Sequence, residues 1–262
     1  MPVDASFYYI AIPAVILVGL SKGGMGDALG LLGVPILTFV VPPAQAAAIL
    51  LPILIVMDVA SLWMWRKHNN AGLVKLLLPG ALIGIAFGWA TWVIVPKYVM
   101  QLVIGAVALS FTARFFYNRY FVQAADTVPR QHGIIRAGFW GALSGYGSFV
   151  AHAGGAPFQV YGLPLKLPPR DYTGAAVRFF AILNAVKLIP YFMLGQLDFT
   201  NLYLSATLFP LAPLATIAGA LIVRRMRPDV FYPFMYGMCA LAGMKLAYEG
   251  VMPLLALASK AV

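Results

Sequence analysis

The chain is short of cysteine and of acids. A single cysteine in 262 residues, Cys239, excludes an intramolecular disulfide and argues against a cysteine-built metal cluster. It falls in an apolar stretch and reads as packing. Eight Asp and Glu stand against 18 Lys and Arg, and no two acids lie close enough in sequence to hold a catalytic divalent metal. HExxH and GxxxxGK[ST] are both missing, which argues against metalloprotease chemistry and ATP hydrolysis. A membrane transferase acting on phosphorylated lipid would need an acidic cluster that is not there. No enzymatic activity, cofactor or resident metal is expected.

Charge of either sign is scarce, at 10% of residues, whereas 62% are hydrophobic and the mean hydropathy is +0.87. A soluble domain of this size lacks the interior to hide so much apolar surface, so lipid must solvate most of the chain. Met1 to Ser6 carries Asp4 and no Lys or Arg. It lacks the basic start of a cleaved signal peptide, and the first apolar stretch is expected to remain as a membrane segment. The net charge of +10 comes from residues in short connections between apolar segments rather than along a soluble face. That pattern sets membrane topology and does not call for nucleic acid as a partner.

What the chain has in quantity is glycine and proline, and they recur. Gly19, Gly33-Val34-Pro35, Pro42-Pro43, Pro79, Gly88 and Gly105 return in order as Gly141, Gly155-Ala156-Pro157, Pro168-Pro169, Pro210, Gly219 and Gly237. The offset drifts only from 122 to 132 residues, as an old duplication with small insertions would give. Paired Gly/Pro interruptions in two halves of an apolar chain point to a transporter.

Apolar helical stretches fall at Phe7 to Leu20, Ala28 to Val41, Ala44 to Trp65, Leu73 to Val95 and Tyr98 to Phe116. The second half repeats them at Ile134 to Val150, Ala153 to Leu165, Tyr172 to Leu194, Leu202 to Val223 and Val230 to Tyr248. The expected organisation is a first repeat over 1–120, a linker over 121–133 and a second repeat over 134–262. In each repeat the first two segments are short and glycine-broken; they either span or form a re-entrant pair.

Arg66, Lys67 and Lys75, then Arg114, Arg119, Arg130 and Arg136, then Arg224, Arg225 and Arg227 mark three cytoplasmic connections by the positive-inside rule. The turns at Lys97 and Asp198 then lie outside. The Arg66 loop is the repeat equivalent of the Asp198 loop, and the Lys97 turn that of the Arg224 cluster. Equivalent loops are on opposite faces, so the repeats are expected to have inverted topology and both termini to be periplasmic. The fold class is an all-α polytopic membrane protein. Trp63 and Trp65 beside Arg66, and Trp89 and Trp92 before Pro96, read as an interfacial belt.

A charge at the bilayer centre costs at least ~2.5–3.5 kcal/mol, so those at depth are candidates for function. They are Lys22, Asp27, Asp58, Arg178, Lys187 and Lys245, with His152 as the histidine at depth. Cations outnumber acids, which favours an anionic cargo. Lys22 sits in Leu20-Ser21-Lys22-Gly23-Gly24-Met25-Gly26-Asp27, where glycines break the helix and let backbone N–H groups approach an oxyanion. The equivalent stretch is Ser144-Gly145-Tyr146-Gly147-Ser148, followed by His152 and Gly154-Gly155.

The expected anion site comprises Lys22, Gly23, Gly24, Gly26, Ser144, Ser148, His152, Gly154, Gly155, Arg178, Asn184 and Lys187. Arg178 can grip an oxyanion with its planar fork, whereas Lys187, on the opposite helix face, could equally reach an outer interface. Asp58 is the repeat equivalent of Asn184, and Asp58 and Asp27 are the candidates for proton coupling; either could instead simply neutralise a cation, Asp27 with Lys22 for example. Lys245, one turn from Glu249, reads as a helix-end residue.

In its glycine-broken segment ending in Pro35, the echo through Ser144-Gly145 and Gly154-Gly155-Ala156-Pro157, and the Pro79 to Gly88 helix echoed at Pro210 to Gly219, the chain resembles the sulfite exporter TauE/SafE family over about residues 7 to 250. The resemblance implies a secondary transporter of the bacterial cytoplasmic (inner) membrane that exports sulfite or a small organosulfonate such as sulfoacetate. In place of the usual GxGGG-like run in the second half, the chain has Ser148-Phe149-Val150-Ala151-His152-Ala153 ahead of its Gly-Gly. The partners expected are the anion and the lipid bilayer, with a homodimer allowed. The rival reading is a cation or metal transporter with Asp27, Asp58 and His152 as ligands, and after it a membrane-embedded enzyme.

Overall fold

The computed structural model describes residues 5–91, 95–118, 120, 133–193, 195 and 198–259. They are helical, with no strand among them. The expected linker over 121–133 lies outside the described residues except for Gly133, as do Trp92, Arg119, Arg130 and Leu194.

Each of the ten expected segments contains helix among the described residues. The first half folds as α1 (Ala5–Leu20), α2 (Asp27–Gly30), α3 (Gly33–Leu37), α4 (Pro43–Met64), α5 (Ala71–Ala90) and α6 (Lys97–Tyr117). The second half gives α7 (Ile134–Ala151), α8 (Gly155–Gly162), α9 (Pro169–Met193), α10 (Phe199–Leu208), α11 (Leu211–Arg225) and α12 (Pro228–Ala258). Among the described residues six stretches are long and apolar enough to cross a membrane, and α10 with α11, bent by 49°, can form a seventh span. The protein is a multi-pass membrane protein.

Proline and aspartate set the helix starts. Pro43, Pro169 and Pro228 open α4, α9 and α12, where a missing N–H costs nothing. Asp198 caps α10 by accepting the N–H of Asn201 at 2.7 Å. Where the sequence led us to expect one helix from Leu202 to Val223, the chain bends at Phe209 and Pro210, and α12 runs ten residues beyond Tyr248.

The short segments are shorter than expected. From α2 to the end of α3 is about 16 Å at 1.5 Å per residue and α8 about 12 Å, against a hydrocarbon core of about 30 Å. Neither can cross alone.

The helices sort into two compact units that draw on both halves of the sequence. The first contains residues 1–70 and 169–227, hence α1–α4 with α9–α11. Inside it α1 crosses α11 at very close range: a Cβ on Gly19 would fall 2.4 Å from Ala215 Cβ, and one on Gly219 2.4 Å from the Leu20 carbonyl. Small residues at such crossings let backbones meet where lipid supplies no hydrophobic drive. Phe7, Val15, Leu37, Ile53, Met57 and Leu208 fill the core beside this crossing.

The second unit contains residues 71–168 and 228–262, hence α5–α8 with α12. There α5 packs on α7 through Gly84 and Gly145, whose Cβ atoms would lie 2.0 Å from the Ala142 and Ala81 carbonyls. α6 packs along α12, with Phe115 stacked on Tyr236 at 3.5 Å between ring centroids. Lys245 is paired with Glu249 within α12, and Glu249 also accepts from Gln101 of α6. The helix-end position expected for Lys245 is therefore wrong, because α12 continues to Ala258.

Candidate functional site

The first glycine break unwinds α1. Ser21–Met25 forms a π-helical turn, and Gly24 (φ 121°) and Gly26 (φ 91°) adopt conformations that L side chains rarely take. Gly23 is buried against α11, where a Cβ would stand 2.4 Å from the Thr216 carbonyl. The widened turn frees carbonyls that α4 satisfies: Ser61 Oγ donates to the Lys22 carbonyl at 2.9 Å and Trp65 Nε1 to the Gly23 carbonyl at 3.1 Å.

Held this way, Lys22 reaches across to α4. Its Nζ lies 2.6 Å from Asp58 Oδ1, and Asn184 Nδ2 of α9 donates to Asp58 Oδ2 at 2.6 Å. Each carboxylate oxygen thus has its own donor. Asp58 and Asn184 are 4% and 3% exposed, whereas the Lys22 side chain keeps 17% of its surface. The acid end of the pair is enclosed and the ammonium end stays partly open. Such a pair survives at depth only because both charges and the remaining lone pairs are matched. An anion that approached Lys22 would compete with Asp58 for it.

Lys187, one turn beyond Asn184 on α9, is 1% exposed, so it does not reach an outer interface. Asp27 opens α2, but its side chain lies outside the described part of the residue.

Arg178 sits apart from this cluster in its contacts. Nη1 donates to the carbonyls of His68 (2.6 Å), Gly174 (2.9 Å) and Trp65 (3.3 Å), and Nη2 to those of Arg66 (3.1 Å) and Trp65 (3.3 Å). It closes off the carbonyls that the end of α4 leaves without an intrahelical partner. Asp171, on the same helix, pairs with His68 at 3.5 Å.

The remaining residues expected at the site belong to the second unit. Ser144 Oγ donates to the Gly154 carbonyl at 2.6 Å and so ties the end of α7 to the start of α8. His152 ends α7 in a left-handed conformation (φ 53°), and the Ala153 N–H returns to the Gly147 carbonyl. Gly154 precedes α8 and Gly155 begins it, while Ser148 is buried inside α7. Both glycine-rich stretches are breaks, and their chemistry differs: one offers an ammonium, the other hydroxyl and backbone groups.

Two residues that hold the first break were not anticipated. Trp65 is fully buried instead of lying in the interfacial belt with Trp63, which is 59% exposed. Its indole is needed by the Gly23 carbonyl, a demand that becomes visible only once α1 has unwound. Ser61 had a signal in the sequence, since it lies 126 residues from Lys187, the same offset expected to relate Asp58 to Asn184.

The family model described as sulfite exporter TauE/SafE matches residues 11–246, nearly the whole chain. No curated protein and no solved structure matches it. With its multi-pass helical fold and two glycine-broken segments, the chain belongs to the sulfite exporter TauE/SafE family of membrane transporters.

Proposed function

We propose that the chain is a secondary transporter of the bacterial cytoplasmic membrane that exports sulfite or a small organosulfonate by alternating access, with Lys22 as the anion ligand and Asp58 as the proton carrier. The observation that carries this reading is the Lys22–Asp58–Asn184 cluster: a partly open ammonium held by a buried carboxylate. In the empty carrier Asp58 neutralises Lys22. When an oxyanion takes over the ammonium, the enclosed carboxylate loses its partner and takes up a proton, since an unpaired charge is expensive at that depth. Anion and proton then travel together. A doubly charged anion moving with one proton still carries negative charge, so an inside-negative potential favours its exit.

Gly23, Gly24 and Gly26 let backbone approach the anion, and Asn184 and Lys187 line its buried side. In this reading Arg178 shapes the α4 end instead of gripping the anion, because its Nη groups are already committed to carbonyls. Inverted duplication has support in the packing. In the first unit α1 pairs with α11, and in the second the equivalents α7 and α5 pair with the halves exchanged. The equivalent helices α4 and α9 touch each other, as do α6 and α12. The shortness of α2–α3 and α8 favours re-entrant segments.

A cation cargo is disfavoured by the same cluster, since both oxygens of Asp58 are engaged by Lys22 and Asn184. The test is uptake of labelled sulfite and sulfoacetate into proteoliposomes with and without a pH gradient. Flux of either anion accelerated by acid on the loading side supports the reading. Flux of a divalent cation with no anion flux would replace it.

A further inference from the structure

The ends of α4 and α11, expected from their basic residues to face the cytoplasm, form a second cationic site, different in character from the Lys22 cluster. A pocket of about 210 Å³ is lined by Trp63, Met64, Arg66, Lys67 and Arg224. Three of those five side chains are cations and none is an acid. The arginines are held in fixed planes: Arg66 lies 4.9 Å over the Trp63 ring and donates to the Trp63 carbonyl, and Arg224 lies 5.3 Å over Trp65 and donates to the Met64 carbonyl. Stacking on aromatic faces orients the guanidinium without consuming all its N–H donors. The Nε of Arg224 is buried and has no hydrogen-bond partner among the described residues. Like charges gathered around one cavity, with a donor left over, call for an anion.

The surroundings identify the source of that anion. The pocket lies where two spans end, Gln45–Met64 and the bent pair closing at Arg225. Below it the helices are bare and apolar: Val59, one turn before Trp63, is 64% exposed, and Leu221, one turn before Arg224, is 44% exposed. Trp63 itself, 59% exposed, stands between the cationic rim and this apolar surface. A soluble phosphate would use only the rim. A phospholipid would use both, its phosphate among the cations and its acyl chains along Val59 and Leu221. We propose that this pocket binds the phosphate of an anionic phospholipid headgroup. Basic pockets at the ends of membrane helices have the chemistry for such headgroups.

The experiment uses the full chain, purified and delipidated in detergent, titrated with phosphatidylglycerol, phosphatidylcholine or inorganic phosphate while thermal unfolding is followed. The wild type is compared with the double variant R66Q/K67Q, which leaves Arg224 in place to hold the α4 end, and retained lipid is counted by native mass spectrometry. Phosphatidylglycerol is expected to raise the unfolding temperature more than phosphatidylcholine, and the half-saturating concentration to rise about 25-fold in the double variant, at about fivefold per cation removed. Equal shifts with both lipids, or a double variant that retains phosphatidylglycerol like the wild type, would overturn the proposal. A shift with inorganic phosphate as large as that with phosphatidylglycerol would overturn the lipid assignment and leave a small-anion site.

Discussion

Asp58 and Asn184 lie 126 residues apart in the sequence, and they touch: the Asn184 amide donates to the Asp58 carboxylate at 2.6 Å. One half supplies a charge and the other a neutral donor that fits it. Had both been Asp, two buried carboxylates would repel; had both been Asn, Lys22 would have no counter-ion there. In the proposed reading, this pairing of a carboxylate with a neutral amide gives the site the asymmetry that ion coupling needs.

This relationship sets the first expectation, which concerns stability. Asp58→Asn removes the charge that balances Lys22. Breaking a buried pair from one side costs about 3–5 kcal/mol, and the partial exposure of Lys22 reduces this to about 2–3 kcal/mol. Replacing both charges together, as in Lys22→Met with Asp58→Leu, should bring the unfolding temperature in detergent close to that of the wild type. If the double variant is no more stable than Asp58→Asn alone, the two residues are not energetically coupled.

The glycine break predicts a graded response to alanine. At Gly23 the new Cβ would strike the Thr216 carbonyl, which belongs to a packed helix and cannot move aside. Gly23→Ala should sharply reduce the yield of monodisperse protein on size exclusion. Gly24→Ala adds left-handed strain of about 1–3 kcal/mol and a clash with the Thr173 methyl 2.5 Å away. Gly237→Ala, inside α12 with open space around it, should be neutral or stabilising by up to about 1 kcal/mol. Equal tolerance at Gly23 and Gly237 would refute the close crossing of α1 and α11.

Arg178→Lys separates clamp from ligand. A lysine offers one ammonium where the guanidinium bridges carbonyls of Trp65, Arg66, His68 and Gly174. The loss of a charge-assisted bond costs about 1.5–3 kcal/mol, so unfolding should come several degrees earlier. Anion KM of the protein that remains folded should change by less than about twofold, well under a decade per 1.4 kcal/mol. A large rise in KM at unchanged stability would return Arg178 to the anion.

The positions of the ten apolar segments could be read from the sequence because spans need about 20 apolar residues and Gly and Pro punctuate them. The contact between Asp58 and Asn184 joins two positions that the sequence pairs at an offset of 126 residues. The partner of Lys22 could not be read. Asp27 is five residues away and Asp58 is 36, and only the unwinding at Ser21–Met25 turns the ammonium toward α4. The carbonyl clamp made by Arg178 was hidden as well, because main-chain carbonyls leave no mark on a sequence. The sorting of helices into units was equally hidden: chain order says that α4 precedes α5, but packing puts them in different units.

The most direct test of the central claim is counterflow of labelled sulfite in proteoliposomes for wild type, Lys22→Gln and Asp58→Asn, at acidic and neutral pH on the loading side. The account predicts flux that quickens with acid in the wild type, no flux in Lys22→Gln, and flux that no longer responds to pH in Asp58→Asn. Wild-type flux indifferent to pH, or full flux in folded Lys22→Gln, would contradict it.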